Sequence, residues 1–331
     1  MNNKSVFVTG GCGYIGSHVV RQLSEAGYKV TVYDNLSTGR KDALIHGETL
    51  VEADLADIDA LDRVLTDGNF DSVLHFAASI VVPESVSEPL LYYRNNTVNT
   101  VNLLDACKKH GISNIVFSST AAVYGESGTG EPITEKTPLA PTNPYARSKL
   151  MDEWILEDLA EANPEFSYVV LRYFNVAGAD FQARMGQCSP EATHLIKVAC
   201  EVALGVRKQL SVFGDDYDTH DGTCIRDYIH IEDLASAHLQ ALAYIEKGGK
   251  NQTFNCGYGN GFSVKEVIAT VNEVHGSDIP CQVGPRRPGD VSSLVADSKQ
   301  MQDQIGWEYE HSGLFKIVKS AYDWEKRLRN L

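Results

Sequence analysis

Cysteine is sparse and scattered in this chain, with seven among 331 residues and no C-x-x-C pair. That spacing indicates neither a zinc or other metal site nor a disulfide framework, and reduced thiols in the cytoplasm are the simpler reading. Long apolar runs are also missing. No stretch approaches the length of about 18 residues that reads as a membrane span, and the N-terminus enters a strand pattern without the apolar core of a secretion signal. Positive charge is short as well. Lys and Arg number 29 against 44 Asp and Glu, a formal net charge of −15. This argues against general nucleic-acid or anionic-membrane binding and leaves room for a local cationic pocket facing an anionic substrate. The chain shows no internal repeat, low-complexity segment or flexible linker. Its apolar fraction of 43% is ordinary for a globular protein, and the length suits one large or two coupled domains.

What is present is αβ alternation. Strand-like runs fall at 6–8, 30–33, 50–52, 73–76, 115–117 and 168–171, with helical patterns between most of them. The pattern predicts an α/β fold, a doubly wound parallel sheet that binds ligands at the carboxyl ends of its strands. Asp54, Phe76, Ala77, Ala78, Thr120 and Phe174 all follow such ends. From about Gln182 the alternation breaks down. The expected division is a nucleotide-binding domain over about 1–180, to which the chain can cross back later, and a smaller mixed α/β domain over 181–331.

The segment Val8-Thr9-Gly10-Gly11-Cys12-Gly13-Tyr14-Ile15-Gly16 follows the first strand and opens a helix that ends at Gly27. Glycines at 10, 13 and 16 allow a tight turn, close backbone approach to a pyrophosphate and close helix packing. The helix N-terminus then faces the phosphates. Asp34 closes the second strand 18 positions after Gly16, near the spacing of about 20 for an acid on a ribose 2′-hydroxyl. A carboxylate there repels a 2′-phosphate, which favours NAD over NADP; Arg40 is a mild counter-signal, read as a surface arginine.

Tyr145-Ala-Arg-Ser-Lys149 follows Pro144, which suits a first helical position, with Thr142 or Asn143 as cap. Residues i and i+4 share a helix face, so a Lys149 ammonium beside the Tyr145 phenol lowers the phenol's pKa. Bringing it from about 10 to near 7 takes roughly 4 kcal/mol and yields a base matched to an alcohol or sugar hydroxyl. Alone this spacing is weak, because many helices carry it as a solvated pair. Thr120 upstream and the glycine loop give it weight. Arg226, Arg286 and Arg287 are candidate partners for a diphosphate.

Together, Thr9-Gly10-x-x-Gly13-x-x-Gly16, Ser118-Ser119-Thr120, Tyr145-x-x-x-Lys149 and Arg172-Tyr173-Phe174-Asn175 resemble the extended short-chain dehydrogenases. Further stretches are Tyr33-Asp34-Asn35-Leu36, Val123-Tyr124-Gly125, Gly222-Thr223-Cys224-Ile225-Arg226-Asp227-Tyr228-Ile229-His230 and Pro285-Arg286-Arg287-Pro288-Gly289-Asp290. With these the chain resembles, more narrowly, the UDP-glucose 4-epimerases, over nearly its whole length. The resemblance implies NAD held by the first domain and a UDP-sugar clamped by the second. Gly10, Gly13, Tyr14, Ile15 and Gly16 would take the pyrophosphate. Asp34, Asn35 and the adjoining Leu36 would hold the adenosine ribose, with Asp54 and Leu55 at the adenine. Phe76, Ala77, Ala78, Asn95 and Phe174 would line the remaining cofactor path. Thr120 and Tyr145 would meet both nicotinamide and sugar, and Lys149 would hold the nicotinamide ribose. Asn175, His194, Phe213, Arg226, Arg287 and Asp290 would contact the nucleotide end of the substrate.

The implied activity is interconversion of UDP-glucose and UDP-galactose through transient oxidation at sugar C4, serving galactose metabolism or polysaccharide supply. Thr120 replaces a frequent serine, Ile80 stands where some relatives have lysine, and Leu294 stands where the sugar 2-substituent is sensed. A 4,6-dehydratase usually needs an acid pair just after the Thr120 equivalent, and this chain has Ala121 and Ala122 there. UDP-glucuronate and UDP-N-acetylhexosamine 4-epimerases use the same groups and stay open, as does a non-catalytic NAD-binding module. The resemblance also implies a homodimer through helices near 95–110 and 148–162 packed as a four-helix bundle, unless their apolar faces are buried on their own sheet.

Overall fold

The protein is described by a computed structural model covering residues 4–125, 131–189, 192–287 and 290–331. Pro288 and Gly289 of the 285–290 motif lie outside the described residues. In chain order the elements are β1 (Ser5–Thr9), α1 (Tyr14–Glu25), β2 (Lys29–Asp34), β3 (Thr49–Glu52), α2 (Ile58–Gly68) and β4 (Ser72–His75). There follow α3 (Val82–Ser87), α4 (Pro89–Tyr92), a π-helical segment (Tyr93–Val98), α5 (Asn99–Lys109), β5 (Asn114–Thr120) and a short 3₁₀ turn (Ala121–Tyr124). Next come α6 (Pro144–Ala162), β6 (Ser167–Tyr173), β7 (Asn175–Ala177), α7 (Leu195–Ala203), β8 (Leu210–Phe213), β9 (Ile225–His230), α8 (Ile231–Glu246) and β10 (Gln252–Cys256). The last are β11 (Gly261–Ser263), α9 (Val264–His275), β12 (Cys281–Gly284), β13 (Ser293–Leu294), α10 (Lys299–Ile305) and α11 (Leu314–Leu328).

Two compact units result. The first comprises 1–125, 139–172 and 235–254; the second comprises 126–138, 173–234 and 255–331. The crossing after Arg172 lies near the expected boundary, and a later crossing follows it. The chain leaves the first unit right after Arg172, and returns for residues 235–254, because α8 and β10 complete the first unit.

The first unit holds a seven-stranded parallel sheet of order β10-β6-β5-β4-β1-β2-β3, with helices on both sides. Strands covered on both faces read as continuous apolar runs, which is why Val6, Phe7 and Val8 are fully buried. On one side, leucines of α2, α5 and α6 (Leu61, Leu65, Leu103, Leu156) join Phe7, Val73, Ile115 and Phe117 in one core cluster. Each such side chain contributes about 1.5–3 kcal/mol on burial. Strand order reverses direction at β1, which pairs with β2 on one side and β4 on the other. This is the switch point where open α/β sheets receive ligands.

A buried polar chain ties β1, β4 and α5 just beneath that point. His75 Nδ1 lies 2.6 Å from Thr9 Oγ1, and its Nε2 lies 2.9 Å from Thr100 Oγ1. Burial, and secondarily the Lys149 charge, push the His75 pKa from 6.5 down to about 3. The native state thus binds fewer protons than the unfolded chain between these values. The stability this residue contributes is full above pH 6.5 and is lost as the pH falls toward 3. A urea-unfolding midpoint that falls with acidification in the parent protein, and falls less steeply in His75→Gln, checks the assignment.

The second unit pairs β9 with β7, β11 and β13, and sets β8 parallel to β12. Helices α7, α9 and α11 pack against one another. Asp227 on β9 is buried, and its carboxylate accepts N–H bonds from Tyr258 (3.0 Å), Gly259 (2.9 Å) and Ala296 (3.2 Å). These donors fix β9, and with it the neighbouring Arg226.

Candidate active site

The glycine loop leaves β1 at the switch point and is shaped so that side chains do not fit. Gly10 sits at φ +71, and a Cβ on it would lie 2.6 Å from the Ala77 nitrogen. A Cβ on Gly16 would lie 2.2 Å from the Gly10 carbonyl oxygen. Both distances are shorter than any real Cβ contact, so only glycine gives this turn. The loop is closed by Gly13 N–H donating to Gly10 O at 3.1 Å and by Gly10 N–H donating to Tyr33 O at 2.9 Å. Helix α1 then starts at Tyr14 with no side-chain cap and no acid in its first turn. Its positive dipole end is left for an anion.

Asp34 stands at the end of β2 beside this loop. Its Oδ2 accepts from Cys12 N–H at 2.9 Å and its Oδ1 from Leu36 N–H at 2.8 Å. Each carboxylate oxygen has a second lone pair for a ribose hydroxyl. Leu36 holds φ +57, an uncommon backbone state for a non-glycine residue that concentrates at ligand sites. Asn35 donates its amide to Asp54 Oδ2 at 2.6 Å, joining the ends of β2 and β3. Leu55 follows, with its side chain in the hydrophobic core and its carbonyl accepting from Asn102. After β4, Phe76 packs near the His238 ring at 4.9 Å, and Phe76, Ala77 and Ala78 are half-buried. Asn95 reaches Ser79 Oγ at 3.0 Å. Ile80 is 53% exposed.

The chemistry-bearing helix forms as its sequence predicts. Pro144 occupies the first turn of α6, and the Asn143 side chain caps it by accepting from Ala146 N–H at 2.9 Å. Thr120 ends β5, with its hydroxyl near enough to the Tyr145 phenol to favour the phenolate. Burial pushes the phenol pKa up and the Thr120 contact pulls it down. The Lys149 ammonium sits over the Phe117 ring, 4.6 Å from its centre. Its own pKa is held below the ordinary value by burial, against the upward pull of Asp152 and Glu153.

Spacing alone missed the support behind these groups. Arg172 on β6 donates Nε to both Glu153 oxygens at 3.0 and 3.1 Å, and Nη1 to Tyr124 OH at 3.0 Å. Ser119, next to Thr120, donates its hydroxyl to the same Glu153. One buried carboxylate on α6 thereby fixes that helix against β5, β6 and the 3₁₀ turn. Glu153→Gln is expected to lower stability by about 3–5 kcal/mol, the cost of leaving a buried charge unpaired, as a drop in the urea midpoint would show. The nearby Asn96 donates to Ser79 O at 3.0 Å and Ser148 Oγ at 2.9 Å. Tyr-x-x-x-Lys spacing carries no sign of these partners, which come from distant segments.

In the second unit the expected nucleotide contacts form two groups. Arg226 on β9 pairs with the Asp290 carboxylate and donates Nη1 to Val291 O at 2.9 Å. Asp290, expected at the nucleotide end of the substrate, orients Arg226 through this pair. Leu294 lies across from Arg226 in the β9–β13 register, and Asn175 lies across from Tyr228 in the β7–β9 register. Arg287 stacks over Phe213 with its guanidinium carbon 3.9 Å from the ring centre. Arg286 is paired with Asp216 and stacks on Tyr217. His194 precedes α7, its Nδ1 2.7 Å from Gln187 Nε2. Burial lowers its pKa, which favours the neutral ring. Phe174 follows β6 and donates its N–H to Cys256 O at 3.4 Å.

The sequence profile of the NAD dependent epimerase/dehydratase family matches residues 6–257, the span from β1 to β10. The chain belongs to that family. A UDP-glucose 4-epimerase of Azospirillum brasilense is 54% identical over 98% of this chain and 92% of its own length. The crystal structure of UDP-glucose 4-epimerase from Brucella ovis in complex with NAD superposes with a TM-score of 0.92 at 41% identity, covering 97% of this chain and 98% of that one. The UDP-Glc/GlcNAc 4-epimerase of Campylobacter jejuni superposes with a TM-score of 0.87 at 49% identity, covering 98% and 100%. NAD is the family's cofactor, and the glycine cradle, the open helix end and the Asp34 carboxylate fit a dinucleotide without a 2′-phosphate.

Proposed function

We propose that the chain interconverts UDP-glucose and UDP-galactose, inverting the configuration at sugar C4. The observation that carries this reading is the Thr120 hydroxyl set near the Tyr145 phenol at the end of β5, in the unit that also holds the dinucleotide cradle. The bound NAD supplies reversible hydride transfer at C4, so no net oxidation results. Tyr145 removes the proton of the 4-hydroxyl and returns it once the sugar has presented its other face. Thr120 holds the same oxygen and favours the phenolate. Lys149 sets a buried positive charge at this end of the site. Arg226, oriented by Asp290, and Arg287, backed by Phe213, hold the diphosphate while the sugar turns, a use of remote binding energy. Ala121, buried in the 3₁₀ turn after Thr120, and Ala122 transfer no protons, which argues against a dehydratase.

A proton NMR time course of UDP-galactose with purified protein and no added NAD tests the reading. The expected result is one UDP-glucose to UDP-galactose ratio approached from either side. No conversion, even with NAD supplied, overturns it. The same assay with UDP-N-acetylglucosamine reads the 2-substituent. A leucine at 294 beside Arg226 favours the plain hexoses, and Leu294→Ala is expected to raise the relative kcat/KM for the N-acetyl sugar by about tenfold, the discrimination a hydrophobic contact supplies.

The protein acts as a homodimer in the cytoplasm on this reading. Val98, Val101, Met151 and Trp154 are exposed large apolar residues of the helical segments expected to form the bundle; Trp154 is 51% exposed. The opposite faces of α5 and α6 bury Leu103, Leu104 and Leu156. All seven cysteines are free, which suits a reducing compartment. Trp154→Glu is expected to convert the dimer to monomer in light scattering.

A further inference from the structure

Two consecutive acids on α6, Asp152 and Glu153, are both buried, and they are treated differently. Glu153 is satisfied by Arg172 and Ser119. Asp152 is 0% exposed and lies one turn beyond Lys149, which is 3% exposed. Positions three apart share a helix face. An apolar residue at 152 would be cheaper, since a buried carboxylate costs heavily unless a positive charge or hydrogen bonds offset it. Neither Asp152 carboxylate oxygen has a hydrogen-bond partner among the described residues, and the Thr97 hydroxyl, from the π-helical segment packed on α6, donates to Ser148 O at 3.4 Å. The Lys149 ammonium is the cation that acts on Asp152. The remaining charged or titratable groups near the pair do not supply a second cation. Glu153 is negative and repels, Arg172 is held by Glu153, His75 on β4 is neutral, and Tyr145 is an uncharged phenol.

We infer that Asp152 is the buried counter-charge of Lys149, a positioning residue that keeps the ammonium protonated at the reacting end of the site. Lys149 has no solvent to stabilise its charge and faces only the Phe117 ring. Without an anion one turn away, burial would favour the neutral amine. An amine has no positive charge to offer a developing phenolate. Burial raises the Asp152 pKa above the ordinary carboxylate range against the pull of Lys149, and the charge on each group favours the charged form of the other.

The inference rests on the proposed role of Lys149, and its test reads the lysine directly. The Lys149 side-chain resonance, assigned by its loss in Lys149→Arg, is titrated by ¹³C NMR in the NAD-loaded protein. Asp152→Asn keeps the shape and removes the charge. Its Lys149 midpoint is expected to fall by about one pH unit or more, and the alkaline limb of kcat to move down with it. In Lys149→Arg/Asp152→Asn that limb should stay where Lys149→Arg alone puts it, because a guanidinium stays charged. Asp152→Val, whose apolar side chain suits burial, should shift the Lys149 midpoint in the same direction. A Lys149 midpoint that stays or rises in folded Asp152→Asn overturns the inference. Should Asp152→Asn not fold, an unmoved midpoint in Asp152→Val overturns it equally. Absence of epimerase activity in the parent protein would remove the proposed reaction and leave the NMR result standing by itself.

Discussion

Tyr145→Phe is expected to lower kcat by about 10⁴-fold, the upper end of what one positioned acid–base group contributes, with KM for the UDP-sugar nearly unchanged. The variant removes one oxygen and keeps the ring that fills the site. The nucleotide contacts of the second unit are untouched, so binding survives and proton transfer does not. A non-catalytic NAD-binding module would tolerate the same change, so a parent-like phenotype in any functional assay would favour that module. Thr120→Val separates the two influences on the phenol. The Thr120 contact pulls the Tyr145 pKa down against burial. Removing it raises the pKa, and a base must be deprotonated to act. The acid limb of kcat should therefore move to higher pH, by about one unit. A limb that stays in place would mean that the hydroxyl does not tune the base.

Gly16→Ala is expected to yield protein that purifies without NAD. Its Cβ would stand 2.2 Å from the Gly10 carbonyl oxygen, and backbone cannot rotate away as a side chain does. Overpacking of this kind costs about 1–3 kcal/mol. At the upper end that is roughly a 100-fold loss of NAD affinity, at about 1.4 kcal/mol per tenfold. Fluorescence titration of the stripped protein with NADH measures it. Gly313→Ala is the control, because a Cβ there meets nothing within 4 Å. Equal NADH affinity in the two variants would show that the cradle's tightness does not govern binding.

The most legible parts of this protein in its sequence were those written over short spans. Gly10, Gly13 and Gly16 lie within one turn, and their geometry follows from backbone sterics alone. Pro144 and the Asn143 cap fix the start of α6 through contacts no more than three residues apart. Side-chain direction was less legible. The spacing of Tyr145 and Lys149 placed them on one face, but the ammonium turns to the Phe117 ring, which arrives from β5. Leu55 follows a strand end as a ligand residue would, yet its side chain joins the core. Asp290 and Arg226 are 64 positions apart, and no local pattern announces that each takes up the other's charge. Arg172 reads as an ordinary member of its motif, and Glu153 lies outside every motif, until the fold brings Ser119 and Tyr124 to them.

The return of residues 235–254 to the first unit, with β10 as the terminal strand of its sheet, has a consequence for biosynthesis. Synthesis runs from the N-terminus, and units that are continuous in the chain fold as they emerge. This unit is not continuous. When Arg172 has left the ribosome, six of the seven strands exist and β6 exposes an unpaired edge. That edge is bare backbone able to pair with any other strand. It stays so until β10 emerges, some eighty residues later. The nascent chain thus passes through an aggregation-prone interval that its finished form does not reveal, and slowing translation between 173 and 251 should lengthen it.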